Sequence, residues 1–167
     1  DSIRLGGAAA RILVFDNASS DDTVAHARSI PGITVVETGA NLGYSGAINV
    51  ARGLLAPDDN LIVLNPDLVL EPGAVAALLK TLEDPDVGIA VPLLRDPDGS
   101  TYPHLRKEPS ILGSLGDALW GAHWPERPRW ASDTLRRAED YRAERDVAWA
   151  GGAALAIAST RAKRRGL

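Results

Sequence analysis

Short, unbroken apolar runs that each end in a polar cluster constrain this chain more than any other feature. Arg11-Ile-Leu-Val-Phe15 leads into Asp16-Asn17, and Ile33-Thr-Val-Val36 leads into the loop Gly39-Ala-Asn-Leu-Gly43. Asn60-Leu-Ile-Val-Leu64 leads into Asn65-Pro66-Asp67, and Val87-Gly-Ile-Ala-Val91 is a fourth run. Between them, residues 22–29, 44–55 and 73–82 read as helices, the first stopped by Pro31-Gly32 and the last preceded by Pro72. Runs that lack two-residue alternation suit strands covered on both faces, and intervening helices join such strands in parallel. The expected fold class is α/β with a mostly parallel central sheet. Ligands of such sheets bind beyond the carboxyl ends of the strands. Asp16, Asn17, Asn65 and Asp67 fall there.

The second half reads differently. Asp96-Pro97-Asp98-Gly99 forms a turn between Val91-Pro-Leu-Leu94 and Thr101-Tyr102, which predicts a hairpin. Residues 109–120 read as a helix, and His123 to Trp130 as an irregular Pro- and Trp-rich stretch. Residues 131–145 are strongly charged and predict a solvated helix or a mobile loop. Residues 147–157 return to apolar character around Gly151-Gly152.

Composition narrows the class. A chain of 167 residues, 45% apolar and 24% charged, suits one globular domain with a sizeable core. No apolar run approaches the roughly 18 residues of a membrane span. No cysteine is present, which excludes disulfides and thiolate metal sites. A net charge of −4 argues against a nucleic-acid binder. The chain has no Met, opens on what reads as a helix tail (residues 1–5) and closes on what reads as a helix start (residues 161–165). These features predict an excerpt of a larger protein, incomplete at both ends.

Three features offer chemistry. Asp67, just past a buried strand and beside Asn65, can meet a divalent cation, and Mg²⁺ and Mn²⁺ favour such oxygen ligands shared with phosphates. The competing reading of Asn-Pro-Asp is a plain turn. Asp16 can accept a hydrogen bond from a base or ribose, or else close an Asx turn ahead of the next helix. The Gly39–Gly46 loop can offer backbone N–H groups to phosphate, but it is neither G-x-G-x-x-G nor a P-loop. His26, His104 and His123 share no metal-like spacing. The closing basic cluster reads as a solvated helix face or a contact for an anionic membrane.

Taken together, four segments resemble glycosyltransferase family 2 in order and spacing. They are Phe15-Asp-Asn-Ala-Ser-Ser-Asp-Asp-Thr23, Gly39-Ala-Asn-Leu-Gly-Tyr-Ser-Gly-Ala-Ile-Asn49, Leu64-Asn-Pro-Asp-Leu-Val-Leu-Glu-Pro-Gly73 and Trp149-Ala-Gly-Gly-Ala-Ala-Leu155. The stretch Pro92-Leu-Leu-Arg-Asp-Pro-Asp-Gly-Ser-Thr-Tyr-Pro103 and the Trp/Pro segment are similar to actinobacterial rhamnosyltransferases that act on polyprenyl-diphosphate-linked GlcNAc. The resemblance implies a GT-A (Rossmann-like) fold, with residues 1–91 as the donor half and 92–167 as the acceptor half of one domain. It implies an inverting transfer, with L-rhamnose from a dTDP donor moved to a lipid-linked saccharide in cell-wall or polysaccharide assembly.

The same resemblance assigns Asp16, Asn17, Ser19, Asn41, Gly43 and Asn65 to the donor, Asp67 to a Mg²⁺ or Mn²⁺ ion, and Trp149, Gly151 and Gly152 to the acceptor side. Asn65 stands where the family's metal motif has its first Asp. The family's opening strand is missing from the pattern, and its general base is expected beyond Leu167. The implied partners are a nucleotide sugar, a lipid-linked acceptor and the membrane surface, with no nucleic acid. The implied place is cytoplasmic, peripheral at the inner face of the plasma membrane. The rival reading is a non-catalytic nucleotide-sugar-binding module.

Overall fold

The computed structural model describes residues 10–121, 123–124 and 127–158. They form two compact units, residues 10–90 with 155–158, and residues 91–154. The closing basic cluster lies outside the described residues.

The first unit follows the strand–helix rhythm of the sequence. β1 (Ile12–Asp16) and β2 (Ile33–Glu37) flank α1 (Thr23–Ser29), and they pair in parallel, with Ile12 opposite Ile33 and Asp16 opposite Glu37. α2 (Gly43–Gly53) leads to β3 (Asn60–Leu64), and α3 (Ala74–Thr81) leads to β4 (Ile89–Ala90). β7 (Ala154–Ala158) inserts between β3 and β4 and runs antiparallel to β4. The parallel pairing expected from the crossovers thus appears at β1–β2. β7, arriving from the other unit, adds an antiparallel pair. β4 is shorter than the run 87–91 suggested.

Small residues explain the core here. α3 buries Leu78 and, just past its end, Leu82 against Ala90, Ala156 and Ala158, with Ile62 and Val87 packed alongside. Val75, Leu78 and Leu82 recur at the i, i+3, i+7 spacing of one helix face, and all three are buried. The alanines of β7 let that face approach the strand closely.

The second unit is held by polar groups. β5 (Leu105–Arg106) pairs antiparallel with β6 (Trp149–Ala150). α4 (Ile111–Trp120) is capped by Ser110, whose hydroxyl accepts from the Gly113 N–H at 3.0 Å. The expected hairpin reduces to one bridge, Arg95 opposite Thr101, closed by Gly99 N–H to Asp96 O at 2.8 Å.

Residues 131–145 are solvated only in part: residues 137–139 and 142–145 are exposed, but the stretch is anchored at 131–134 and at Asp140. Ala131, Ser132, Asp133, Thr134 and Asp140 are buried. Asp133 accepts from Ser110 N and Oγ and from Ser114 Oγ, at 3.1, 3.0 and 2.7 Å. Asp133 and Asp140 turn inward, whereas Arg137, Glu139, Arg142, Glu144 and Arg145 stay exposed. α4 presents Gly113 and Gly116 to this segment. A Cβ on Gly116 would stand 2.1 Å from the Ala131 carbonyl oxygen, and one on Gly113 would stand 1.9 Å from Asp133 Oδ1. Ile111, Leu115 and Leu119 on other sides of the helix are exposed.

Candidate functional site

β1 and β2 end side by side, and the residues just past them are tied together. Thr38 N–H donates to Asp16 O at 3.0 Å, and Thr38 Oγ1 lies 2.9 Å from the same oxygen and 2.7 Å from Ala40 O. Asn17 pins the next loop. Its Nδ2 donates to Asn41 Oδ1 and to Gly43 O, both at 3.2 Å, and its Oδ1 accepts from Leu42 N–H at 2.9 Å. Asn41 Oδ1 also accepts from Gly43 N–H at 3.0 Å. Gly43 opens α2 at φ +69°, in the left-handed region, where a side chain would be strained. The structure thus brings Asn17, Asn41 and Gly43 into one hydrogen-bonded loop pair. Both ends of the Asn17 amide are engaged within it.

Asp16 is only 6% exposed. Both of its carboxylate oxygens take one donor, the Ser19 N–H, at 3.3 and 3.2 Å. This is the Asx-type turn weighed above. A carboxylate with about four acceptor sites retains capacity for a ligand. Ala18, between them, sits at φ +69°, the one described residue other than glycine with a positive φ. Such strain persists where surrounding contacts enforce it, and it gathers at ligand sites. The side chain of Ser19 is exposed.

Asn65 and Asp67 follow β3 in a turn closed by Leu68 N–H to Asn65 O at 3.4 Å. Asn65 is half-buried and Asp67 exposed. Neither side chain has a hydrogen-bond partner among the described residues. Among those residues no three His, Asp or Glu side chains gather as a metal site. A cation here can take the Asp67 carboxylate and the Asn65 amide oxygen, and must fill its remaining positions with water or ligand phosphates. Mg²⁺ and Mn²⁺ behave in this way, so the residues present fit such an ion shared with a diphosphate.

The remaining predicted residues belong to the second unit. Arg106 stacks its guanidinium 4.7 Å from the centre of a Trp149 ring, and Gly151 N–H donates to His104 O at 2.9 Å. Gly152 follows in the turn before β7. His104 is buried, with Nδ1 3.1 Å from Tyr102 O and Nε2 without a hydrogen-bond partner among the described residues.

Sequence reasoning passed over two groups. Thr38 ties together the loops that follow β1 and β2, and its only signal is a hydroxyl just past a strand end. Arg127 is the other. Its side chain is fully buried and its donors reach Ala131 O, Gly121 O, Trp124 O, Ser132 Oγ and the Asp117 carboxylate. All five guanidinium donors are thereby used. Partial burial alone would push the Asp117 carboxyl up. Hydrogen bonds from Arg127, Ser132 and the Asp133 N–H outweigh it and hold that group at about 2.

Residues 3–165 match the model of glycosyl transferase family 2. Two similar proteins, from Mycobacterium tuberculosis strains CDC 1551 / Oshkosh and ATCC 25618 / H37Rv, are both named N-acetylglucosaminyl-diphospho-decaprenol L-rhamnosyltransferase. Each is 37% identical over 158 residues, covering 87% of this chain and 51% of the relative. The chain therefore spans about half the length of the curated relatives it matches. No solved structure matches. A strand–helix first unit with polar strand ends, matched almost end to end by one family model, places the chain in glycosyl transferase family 2, with the GT-A fold.

Proposed function

We propose that the chain carries the donor site and part of the acceptor side of an inverting glycosyltransferase. The transferred sugar is L-rhamnose and the acceptor a GlcNAc-diphospho-lipid, as the names of the relatives suggest, and dTDP is the nucleotide we propose for the donor. The observation that carries this reading is Asp67, an exposed carboxylate at a strand end with no partner among the described residues. A carboxylate in that position is available to a cation, whereas a purely structural Asn-Pro-Asp turn needs none.

The chain's residues divide the work. Asp16 accepts a hydrogen bond from the nucleoside through its remaining lone pairs. Asn17 is a positioning residue, since its amide is engaged by Asn41, Gly43 and Leu42, and it sets the loop that borders the nucleoside. Ser19 offers an exposed hydroxyl next to Asp16. Asp67, with Asn65, would hold Mg²⁺ or Mn²⁺. Such an ion, when bound, neutralises charge on the departing diphosphate. Trp149, Gly151 and Gly152 border the acceptor. In the transfer, the acceptor hydroxyl oxygen bonds to the sugar C1 as the C1–O bond to the diphosphate breaks on the opposite face. No described residue is assigned as the base that takes the hydroxyl proton.

Among the described residues no helix is long and apolar enough to cross a membrane. We place the reaction at the inner membrane surface, where a lipid-linked acceptor resides. The test uses the natural protein that carries this chain, radiolabelled dTDP-rhamnose, a short-chain GlcNAc-diphospho-lipid and Mn²⁺ or Mg²⁺. Label is expected in the lipid phase. Donor binding without transfer would instead support the non-catalytic module.

A further inference from the structure

The second unit contains a cavity of about 530 Å³ whose wall carries Lys107, Arg127, Arg129, Arg136 and Arg137 against a single carboxylate, Asp140. Three of the five cations are committed. Arg127 is paired with Asp117. Arg129 reaches Glu139 at 2.8 Å and Asp140 at 3.1 Å, and Arg137 reaches Glu139 at 3.4 Å. Asp140 is also taken by Arg145 at 3.1 Å.

Two cations remain. Lys107 Nζ donates to Arg129 O at 2.6 Å and makes no ion pair among the described residues, although its charge helps to lower the pKa of the buried Asp133 carboxyl. Arg136 has no ion pair among the described residues, and its Nε is buried with no hydrogen-bond partner. Burial, followed by repulsion from Arg127, lowers its pKa. A half-buried guanidinium among other cations is unfavourable for folding. Attraction from Asp117 offsets this only in part, and a perturbed charge in the wall of a cavity marks a candidate ligand site.

We propose that this cavity is a diphosphate-binding site, with Arg136 and Lys107 supplying the charge that meets the anion. The planar guanidinium fork matches phosphate oxygens in pairs, and the lysine acts as a point charge. Two uncommitted cations on one wall suit two phosphoryl groups better than one. The diphosphate has two possible sources, the nucleotide of the donor and the diphosphate of the lipid-linked acceptor. Preference for the acceptor rests on the proposed function. The anion site itself stands apart from it.

The test is calorimetry of inorganic pyrophosphate with the protein in EDTA, which silences any site that needs a cation. Wild type is expected to bind. Arg136→Gln is expected to weaken binding at least tenfold, and Lys107→Gln to weaken it as well. Arg136→Gln is also expected to raise the melting temperature of the ligand-free protein, because it removes a half-buried charge that makes no ion pair among the described residues; a merely structural arginine would lower it. Farnesyl diphosphate and dTDP then compete in EDTA. Displacement at lower concentration by farnesyl diphosphate assigns the site to the acceptor, and the reverse order assigns it to the donor. No metal-free binding by wild type, or unchanged affinity in Arg136→Gln, would overturn the proposal. The measurement involves no sugar transfer, so its failure is separable from failure of the proposed reaction.

Discussion

Asp16 and Asp67 are both strand-end carboxylates, but one is buried and turned onto its own loop while the other is exposed and has no partner among the described residues. They should therefore fail differently. Asp16→Ala removes the acceptor proposed for the nucleoside together with the Ser19 turn. Loss of a charge-assisted hydrogen bond is worth roughly 1.5–3 kcal/mol, so nucleotide affinity should fall about tenfold to a hundredfold while its dependence on metal persists. Titration calorimetry with and without Mn²⁺ checks this. If Asp16→Ala lowers only the melting temperature, the Asx turn is its whole role. Asn17→Ala should also weaken nucleotide, through the loop alone, and its effect should shrink in an Asn41→Ala background because the two residues share one hydrogen bond. Both carboxylates were legible in sequence because strand–turn boundaries are. The pinning by Asn17 and Thr38 was not, since it depends on which loop lies opposite, and only the fold decides that.

At the scale of elements, α4 and the segment it packs on behave as one unit. Gly116→Ala drives a methyl group into the Ala131 carbonyl. Overpacking of this kind costs about 1–3 kcal/mol, which urea unfolding should register, whereas Leu119→Ala at an exposed position should cost far less. The Asp117–Arg127 pair adds a pH signature. The Asp117 carboxyl is held at about 2 in the folded chain against an ordinary 3.8. A depressed carboxylate stabilises the fold above its unfolded value, and that stability is lost as pH falls through the folded value. Urea midpoints should therefore be insensitive to this group at neutral pH and decline between about pH 4 and pH 2. Asp117→Asn should remove that part of the decline.

Helices with apolar periodicity and strands with continuous apolar runs were readable, as α1–α3 and β1–β3 illustrate. Residues 131–145 were not. Their charges suggest a solvated stretch, yet Asp133 and Asp140 are buried by partners tens of residues away or brought in by a turn. The clue that remained visible was Gly113-Ser-Leu-Gly116 in a helix, where two glycines on one face weaken the helix unless something must approach it.

For the molecule as a whole, the order of strands and helices carried the α/β class, and four spaced segments carried the family. The antiparallel insertion of β7 between β3 and β4 could not be read, because a five-residue alanine-rich strand carries no directional signal. On the proposed function, the end of β3 is a cation-assisted diphosphate site built on Asp67. Calorimetry of dTDP with and without Mn²⁺, on wild type and Asp67→Ala, tests it most directly. Mn²⁺-enhanced binding is expected in wild type, with loss of that enhancement in a folded Asp67→Ala protein and a smaller loss in Asn65→Ala, whose amide is a neutral ligand. Full retention of the Mn²⁺ enhancement in folded Asp67→Ala would contradict it.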